Sequence, residues 1–255
     1  MTFDVTGEAY QRFMGVYSDA LSVLFADRAG VLAGGEARVV DVGCGTGALT
    51  SVLVDRLGPT RVLGVDPSAL FVEAARRRLP EVDIRQCAAE QLPLEDDGVD
   101  AALAQLVVSF MANAQAGLAE MARVTRSGGV VGACVWDLAG GRSPLSTFWR
   151  AAVDVAPSTR TESAVAGAAE GDLVRLLTGA GLTQVSGGEL SVRRRYASFE
   201  QWWEPYTLSV GPAGDHVSGL DGPERERLRE HCRTLLPERD IEVEAVAWVA
   251  TGVAP

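Results

Sequence analysis

Residues 39–47 read VVDVGCGTG, and this stretch sets the architecture. A short run rich in β-branched residues ends in glycines at 43, 45 and 47, and residues 48–57 (ALTSVLVDRL) then carry apolar side chains at helical spacing. Strand, glycine turn and helix in that order open a βα unit. Glycines at such a turn let the backbone bend sharply and come close to a ligand, where side chains would stand in the way. The following helix presents free N–H groups to whatever lies in the turn.

The same rhythm continues on the C-terminal side. Residues 38–42 (RVVDV), 61–65 (RVLGV), 82–86 (VDIRQ), 99–107 (VDAALAQLV) and 130–136 (VVGACVW) read as strands, and residues 48–57, 69–79 and 113–124 as the helices between them. In the last helix Leu118, Met121 and Val124 recur at helical spacing. Strand–helix alternation at this pitch predicts right-handed crossovers, hence a doubly wound α/β fold with a mostly parallel sheet. A helix over 172–180 ends at Gly181, a suitable left-handed stop, and residues 182–195 and 241–251 read as two further strands.

Two stretches break the pattern. Residues 137–171 are rich in Gly, Ser, Ala and Pro, while 196–240 hold Trp202, Trp203, Tyr206, a Gly/Pro loop around 211–214 and a charged helix over 223–236. Both follow strands on the C-terminal side of the sheet, where open α/β folds bind ligands, so they are expected to be substrate-cap insertions. With no long linker, residues 1–255 are expected to form a single domain. Its parts are an N-terminal helical segment over 1–36, a cofactor-binding core over 37–137, and the two insertions.

Composition narrows the function. The 255 residues include 34 acidic and 23 basic side chains, all of the latter Arg, for a net charge of −11. Phosphate polyanions and anionic membranes need a basic face, so no nucleic-acid or membrane partner is expected. The most apolar stretch, 101–112, is shorter than the roughly 20 residues a membrane span needs. The N-terminus shows no secretory signal, and Cys44, Cys87, Cys134 and Cys232 form no C-x-x-C pair. Both features point to reduced thiols and a cytoplasmic setting.

Asp41 separates two readings of the glycine turn. Gly43-x-Gly45-x-x-Ala48 satisfies a dinucleotide fingerprint, with Asp66 near the position that binds a ribose, so an NAD-dependent oxidoreductase is the rival enzyme. Asp41 lies two residues before Gly43, where a carboxylate would repel a pyrophosphate. It suits a phosphate-free cofactor of net positive charge, such as S-adenosylmethionine. Asp66 would hold ribose hydroxyls in either reading.

Together, VVDVGCGTG, VLGVDPS (62–68), AAEQLPLEDDGVD (88–100) and LAEMARVTRSGGVVGACVWD (118–137) resemble a class I S-adenosylmethionine-dependent methyltransferase. The likeness is greatest to the type 11 group that includes the ubiquinone/menaquinone-biosynthesis C-methyltransferases, and it covers roughly residues 38–137. The segment AYQRFMGVYS (9–18) also resembles one that folds over the cofactor in bacterial members. The resemblance implies a Rossmann-like sheet of seven strands with the last antiparallel, and S-adenosylmethionine as methyl donor with S-adenosylhomocysteine as product.

Carried over by residue, the resemblance places Tyr10 over the cofactor and Asp41, Gly43, Cys44 and Gly45 along its methionine part. Asp66 takes the ribose hydroxyls, Pro67 and Ser68 flank the adenosine, and Gln105 lies near the sulfonium. Many members have an Asp-Ala pair that touches the adenine amino group. Here Ala88 stands at the Asp position, leaving that contact to backbone near Ala89 or Glu90. A second departure, Ser127-Gly128-Gly129 in place of Pro-Gly-Gly, is a turn variation.

Methyl transfer needs alignment and exclusion of water, and a base only where the acceptor keeps its proton. His216, beside Asp215 in the expected loop, is the candidate base and otherwise a solvated residue; His231 reads as a surface residue. No metal is expected, since no carboxylate or histidine cluster has ligand spacing. Trp202, Trp203 and Tyr206, with Phe199, share a helical face and are either cap core or an aromatic wall for a substrate. Trp149 with Phe148 is a candidate opposite wall, and Tyr17 a closing residue. Arg193–Arg195 alternate across a strand, so at most two share a side. The expected partner is a small molecule, by fold-level analogy a bacterial secondary metabolite, or a short peptide. The competing possibility is a non-catalytic protein that keeps the cofactor fold.

Overall fold

The computed structural model describes residues 7–255; residues 1–6, the start of the expected N-terminal segment, lie outside the described residues. In chain order the elements are α1 (Gly7–Tyr10), a π-helical turn (Gln11–Gly15), α2 (Val16–Arg28), β1 (Val39–Val42), α3 (Ala48–Leu57), β2 (Val62–Asp66), α4 (Ala69–Arg78), β3 (Asp83–Gln86), β4 (Val99–Gln105), α5 (Ala114–Val124) and β5 (Thr125–Trp136). There follow α6 (Ser146–Val155), α7 (Asp172–Gly179), β6 (Thr183–Tyr196), α8 (Phe199–Trp203), α9 (Gly211–Gly219), α10 (Gly222–Thr234) and β7 (Ile241–Val253). No helix among the described residues is long and apolar enough to cross a membrane.

The strands form one seven-stranded sheet in the order β3-β2-β1-β4-β5-β7-β6. β1 to β5 pair in parallel, and β7 runs antiparallel to both β5 and β6. This is the doubly wound sheet with an antiparallel last strand that the sequence implied. The strand order reverses at β1, whose neighbours are β2 and β4, so a crevice opens beyond the C-terminal ends of these three strands.

Both faces of the sheet are covered, which is why β1 is buried at every position. Val39, Ala101 and Leu103 face a core that includes Leu21 and Phe25 of α2 and Leu49 and Leu53 of α3. Val40, Val42, Ala102 and Ala104 face the other way, against Leu118, Met121 and Val124 of α5 and Leu173 and Leu177 of α7. The period of two in the strands and of 3.6 in the helices thus meet face to face. Full burial of such an aliphatic side chain contributes roughly 1.5–3 kcal/mol.

Local chemistry sets the ends of the elements. Ser68 caps α4, Asn113 caps α5, and Asp221 with Glu224 forms a capping box on α10. Gly181 takes φ +90°, as a left-handed stop after α7 requires. The structure departs from expectation in several places; β5, for one, begins at Thr125 and not at 130, so that Ser127 to Gly129, expected as a turn, lie within the strand. The expected loop around 211–214 is the start of helix α9, because Pro212 falls in its first turn, where a missing N–H is tolerated. Strand β4 stops at Gln105 rather than 107, because Leu106 adopts φ +61° and turns the chain away from the sheet.

The two insertions leave the C-terminal ends of β5 and β6, which lie on one edge of the sheet because Trp136 pairs with Ala247 and Tyr196 with Ile241. They meet over that edge. Phe148 of α6 stacks on Tyr206 at 4.6 Å and 10°, and Phe13 of the N-terminal helix packs edge-on against the same ring.

Candidate functional site

Between β1 and α3 the chain takes three left-handed glycines: Gly43 at φ +73°, Gly45 at +54° and Gly47 at +88°. Two backbone donors, Gly43 N and Cys44 N, share the Val65 carbonyl at 2.8 Å each and tie the turn to β2. A Cβ on Gly43 would lie 2.3 Å from Val107 Cγ2, so this glycine is required by packing as well as by φ. A Cβ on Gly45 would meet nothing within 4 Å; its open side faces the crevice.

Asp66, at the end of β2, is 6% exposed and holds the turn from beside it. Gly45 N donates to its Oδ2 at 2.9 Å and Ser68 N to its Oδ1 at 2.8 Å. Each carboxylate oxygen keeps a further lone pair for a ligand hydroxyl. Burial raises its carboxyl pKa, partly offset by those two N–H bonds. Asp41 lies deeper, 1% exposed, and Thr50 Oγ1 of α3 donates to its Oδ2 at 2.6 Å. Burial pushes its carboxyl up to about 7, against the lowering effect of Thr50.

A cavity of about 240 Å³, partly open to solvent, occupies the crevice. Gly43, Gly45, Asp66, Pro67 and Ser68 line one side of it. Ala88, Ala89, Glu90, Gln105 and Tyr10 also line it. Of the expected cofactor residues only Asp41 and Cys44 do not reach its wall. Asp41 is engaged by Thr50 behind the turn, and Cys44 is buried in the core beneath it, its Cβ and Sγ within 3.3 Å of the Cβ position on Gly64. Glu90 is engaged at its carboxylate, which accepts from Asn113 N at 3.0 Å. Gln105 uses its amide nitrogen on Ser22 Oγ at 2.8 Å and on the Ser18 carbonyl, while its buried Oε1 has no hydrogen-bond partner among the described residues.

Sequence reasoning missed Phe71, Leu106, Val107, Phe110 and Met111, which complete the wall. Phe71 lies 5.3 Å from the Tyr10 ring. It reads as an ordinary apolar position of α4, and no local signal sets it apart. Leu106 is a bulky residue at positive φ, a strained conformation concentrated at functional sites. Its N–H is satisfied by the Cys134 carbonyl at 2.8 Å.

Leu106, Phe110 and Tyr10 also line a second cavity under the cap, partly open to solvent, so the two are neighbours across a shared wall. Phe13 and Met14 of the N-terminal helix, Val135 and Trp136 of β5, and Leu138 and Leu145 of the first insertion surround it. Val210, Gly211, Pro212 and Ala213 close it from the second insertion. Among the described residues no Arg or His lines it; the charged group in its wall is Glu162.

The expected aromatic walls stand elsewhere. Trp149, Trp202, Trp203, Tyr206 and Tyr17 line neither large cavity. They form the core that fixes the cap: Phe199 stacks on Trp203 at 6.2 Å, Trp202 lies 4.9 Å from Tyr206, and the Tyr17 and Tyr196 hydroxyls hydrogen-bond at 2.7 Å. Large aromatic faces bury the most apolar area where they pack against one another, and these do so 2–8% exposed. His216 is likewise outside both cavities. It packs on Phe148 and Trp149 and lines a separate cleft with Leu220 and Glu224, and burial lowers its pKa. Among the described residues no group of three or more His, Cys, Asp or Glu is placed to hold a metal ion.

Comparison with known proteins locates the likeness in the same part of the chain. Residues 40–132 match a family model described as a methyltransferase domain. An uncharacterized methyltransferase of Mycobacterium tuberculosis is 40% identical over 100 residues, 39% of this chain and 40% of its own. The trans-aconitate 2-methyltransferase of an Azoarcus species is 38% identical over 99 residues, 37% of each chain. This chain therefore spans less than half the length of either named relative. Among solved structures, geranyl diphosphate C-methyltransferase from Streptomyces coelicolor superposes with a TM-score of 0.54 at 18% identity, covering 92% of this chain and 78% of that one. That structure contains Mg2+, geranyl diphosphate and S-adenosyl-L-homocysteine. At this identity the likeness is one of fold.

Proposed function

We propose that this chain is a class I methyltransferase of the type 11 group, on the match of its residues 40–132 to a methyltransferase-domain model, and that it transfers a methyl group from S-adenosylmethionine to an O, N or C acceptor on a small molecule. The observation that carries the reading is a pair of buried carboxylates at the glycine turn, Asp66 in the crevice wall, fixed by Gly45 N and Ser68 N, and Asp41 behind it, which together disfavour a pyrophosphate and favour a cation. The chemistry of the remaining groups suits the same cofactor. Gln105 Oε1 is a buried acceptor in want of a donor, and the open side of Gly45 admits a close approach.

When bound, S-adenosylmethionine would supply an electrophilic methyl carbon: the bond from the acceptor's electron pair forms to it in line as the C–S bond breaks, and the sulfur keeps that pair as S-adenosylhomocysteine. The protein's own part is alignment and dryness. Tyr10, Leu106 and Phe110 stand between the cofactor crevice and the capped chamber, so they align an acceptor in one with a methyl group in the other. The insertions over 137–171 and 196–240 cover that acceptor, through Leu138, Leu145 and Val210 to Ala213. The relative named for trans-aconitate acts on an anion; among the described residues this chamber has no cationic lining, which favours a different acceptor class.

Isothermal titration of the full chain with S-adenosylhomocysteine and with NAD tests the cofactor. Saturable binding of the first and none of the second is expected, and tight NAD binding with no S-adenosylhomocysteine binding would overturn the reading. Transfer of labelled methyl to a panel of apolar acceptors tests turnover; no product from any member favours a non-catalytic binder.

A further inference from the structure

Glu162 is a charged residue set in an apolar wall. It comes from the segment after α6 and lines the capped chamber among Phe13, Leu138, Leu145 and Val210. Trp149 Nε1 donates to its Oε2 at 3.0 Å, which fixes the carboxylate from behind. Its Oε1 accepts no hydrogen bond, and Glu162 joins no ion pair, among the described residues. Glu162 is half-buried and its Oε1 stays open, so water completes the carboxylate until a ligand donor takes that place, an exchange that favours a donor whose apolar body is buried in the same step. Among the described residues no Arg or His lines the chamber to pair with it.

We propose that Glu162 determines acceptor specificity: it selects an apolar molecule that presents an N–H or O–H donor, and it rejects carboxylates and phosphates. This rests on the reading above that the chamber takes the methyl acceptor. The free Oε1 accepts the donor, and the surrounding aliphatic and aromatic side chains take the apolar body. An anion would lose its water, find no cation and meet like charge, which is discrimination by an unpaired repulsive group as much as by attraction. Burial already holds the Glu162 carboxyl above its ordinary range, and a cationic amine would relieve that unfavourable state.

The test uses naphthylmethylamine, naphthalenemethanol and naphthoate, which share one apolar body. Their binding to the full chain, with S-adenosylhomocysteine present, is read by calorimetry. The amine and the alcohol should each bind about tenfold or more tightly than naphthoate, the scale of a hydrogen bond to a charged group. A preference for the amine over the alcohol identifies ion pairing as the source, and parity identifies hydrogen bonding alone. Glu162→Gln keeps an acceptor for Trp149 Nε1 and should bring naphthoate to within about threefold of the amine. Glu162→Asp, which keeps the charge, should retain the rejection of naphthoate. Naphthoate binding as tightly as the amine in the unmodified protein overturns the proposal, whether or not either variant folds. An unchanged ranking in Glu162→Gln, or failure of both amine and alcohol to bind, also overturns it. Titration of S-adenosylhomocysteine on the same samples separates the two readings. Its absence overturns the cofactor assignment alone, whereas its retention with no selectivity overturns only the role of Glu162.

Discussion

The crevice behind the glycine turn and the chamber under the cap share Tyr10, Leu106 and Phe110, yet their walls are made differently. Apart from Tyr10, the crevice is built by the ends of neighbouring strands and the turns after them, between Gly43 and Ala112, and largely by backbone: left-handed glycines, two N–H groups on Asp66, and strand ends in parallel register. The chamber is built by side chains from segments more than a hundred residues apart, from Phe13 to Ala213, and is held by the aromatic cluster behind it. A wall of backbone tolerates little change in residue type at its turns. A wall of side chains tolerates change at its surface and depends on the core that supports it.

The largest expected effect lies in that supporting core. Trp202, 2% exposed, should lose about 3–5 kcal/mol of unfolding free energy on Trp202→Ala, measured by urea melts, as large-to-small core changes do. S-adenosylhomocysteine affinity should stay within about threefold, since Trp202 touches no part of the crevice. A stable variant that loses only acceptor binding would restore Trp202 to the substrate wall and break the contrast.

The next effect belongs to the crevice. Gly43→Ala forces a Cβ to 2.3 Å from Val107 Cγ2 at φ +73°, and strain plus overpacking should cost about 2–4 kcal/mol in stability or cofactor binding. Gly45→Ala meets no protein atom, so in the free protein it should cost only the conformational strain of about 1–2 kcal/mol. In calorimetry Gly45→Ala should weaken S-adenosylhomocysteine further than its own melting curve accounts for. Equal effects on melting and on binding would show that no ligand passes close to Gly45.

The carboxylates offer a smaller, pH-dependent test. Burial raises Asp41 to about 7 in the free protein, and a cationic cofactor favours its ionised form. S-adenosylmethionine should therefore bind more tightly as pH rises, by about tenfold between roughly pH 6 and pH 8, and Asp41→Asn should flatten the curve. The free protein runs the opposite way. With the folded pKa above the ordinary value of 3.8, Asp41 contributes most to stability below that value, and the contribution is lost as pH rises towards 7. A pH-independent affinity in the unmodified protein would place the cofactor's charge far from Asp41.

His216→Ala should have the least effect, a methyl-transfer rate within about twofold of the unmodified protein, because its ring faces a separate cleft. A large fall in rate would require the cap to bring His216 into the chamber.

How much of this was legible varies with distance along the chain. Residues from Asp66 to Glu90 were legible because the glycine turn, the acidic end of β2 and the strand ends are local patterns with local causes. Asp41 was legible as a carboxylate but not in its engagement by Thr50, which depends on how α3 rolls onto β1. The aromatic residues at 199–206 showed a helical face but not its partner, since one period serves a core and a ligand wall equally well. Glu162 sits in a stretch with no periodicity at all.

Alternating β-branched runs and helical faces, with glycines at 43, 45 and 47, sufficed to set the sheet, its handedness and the place of the crevice, because hydrophobic period and backbone steric limits act between near neighbours. Which side chains enclose the second chamber, and that one carboxylate stands unpaired in its wall, was decided only when β5 and β6 brought their insertions to the same edge. Contacts across so long a stretch of chain are selected by packing of the whole molecule, and no local preference encodes them.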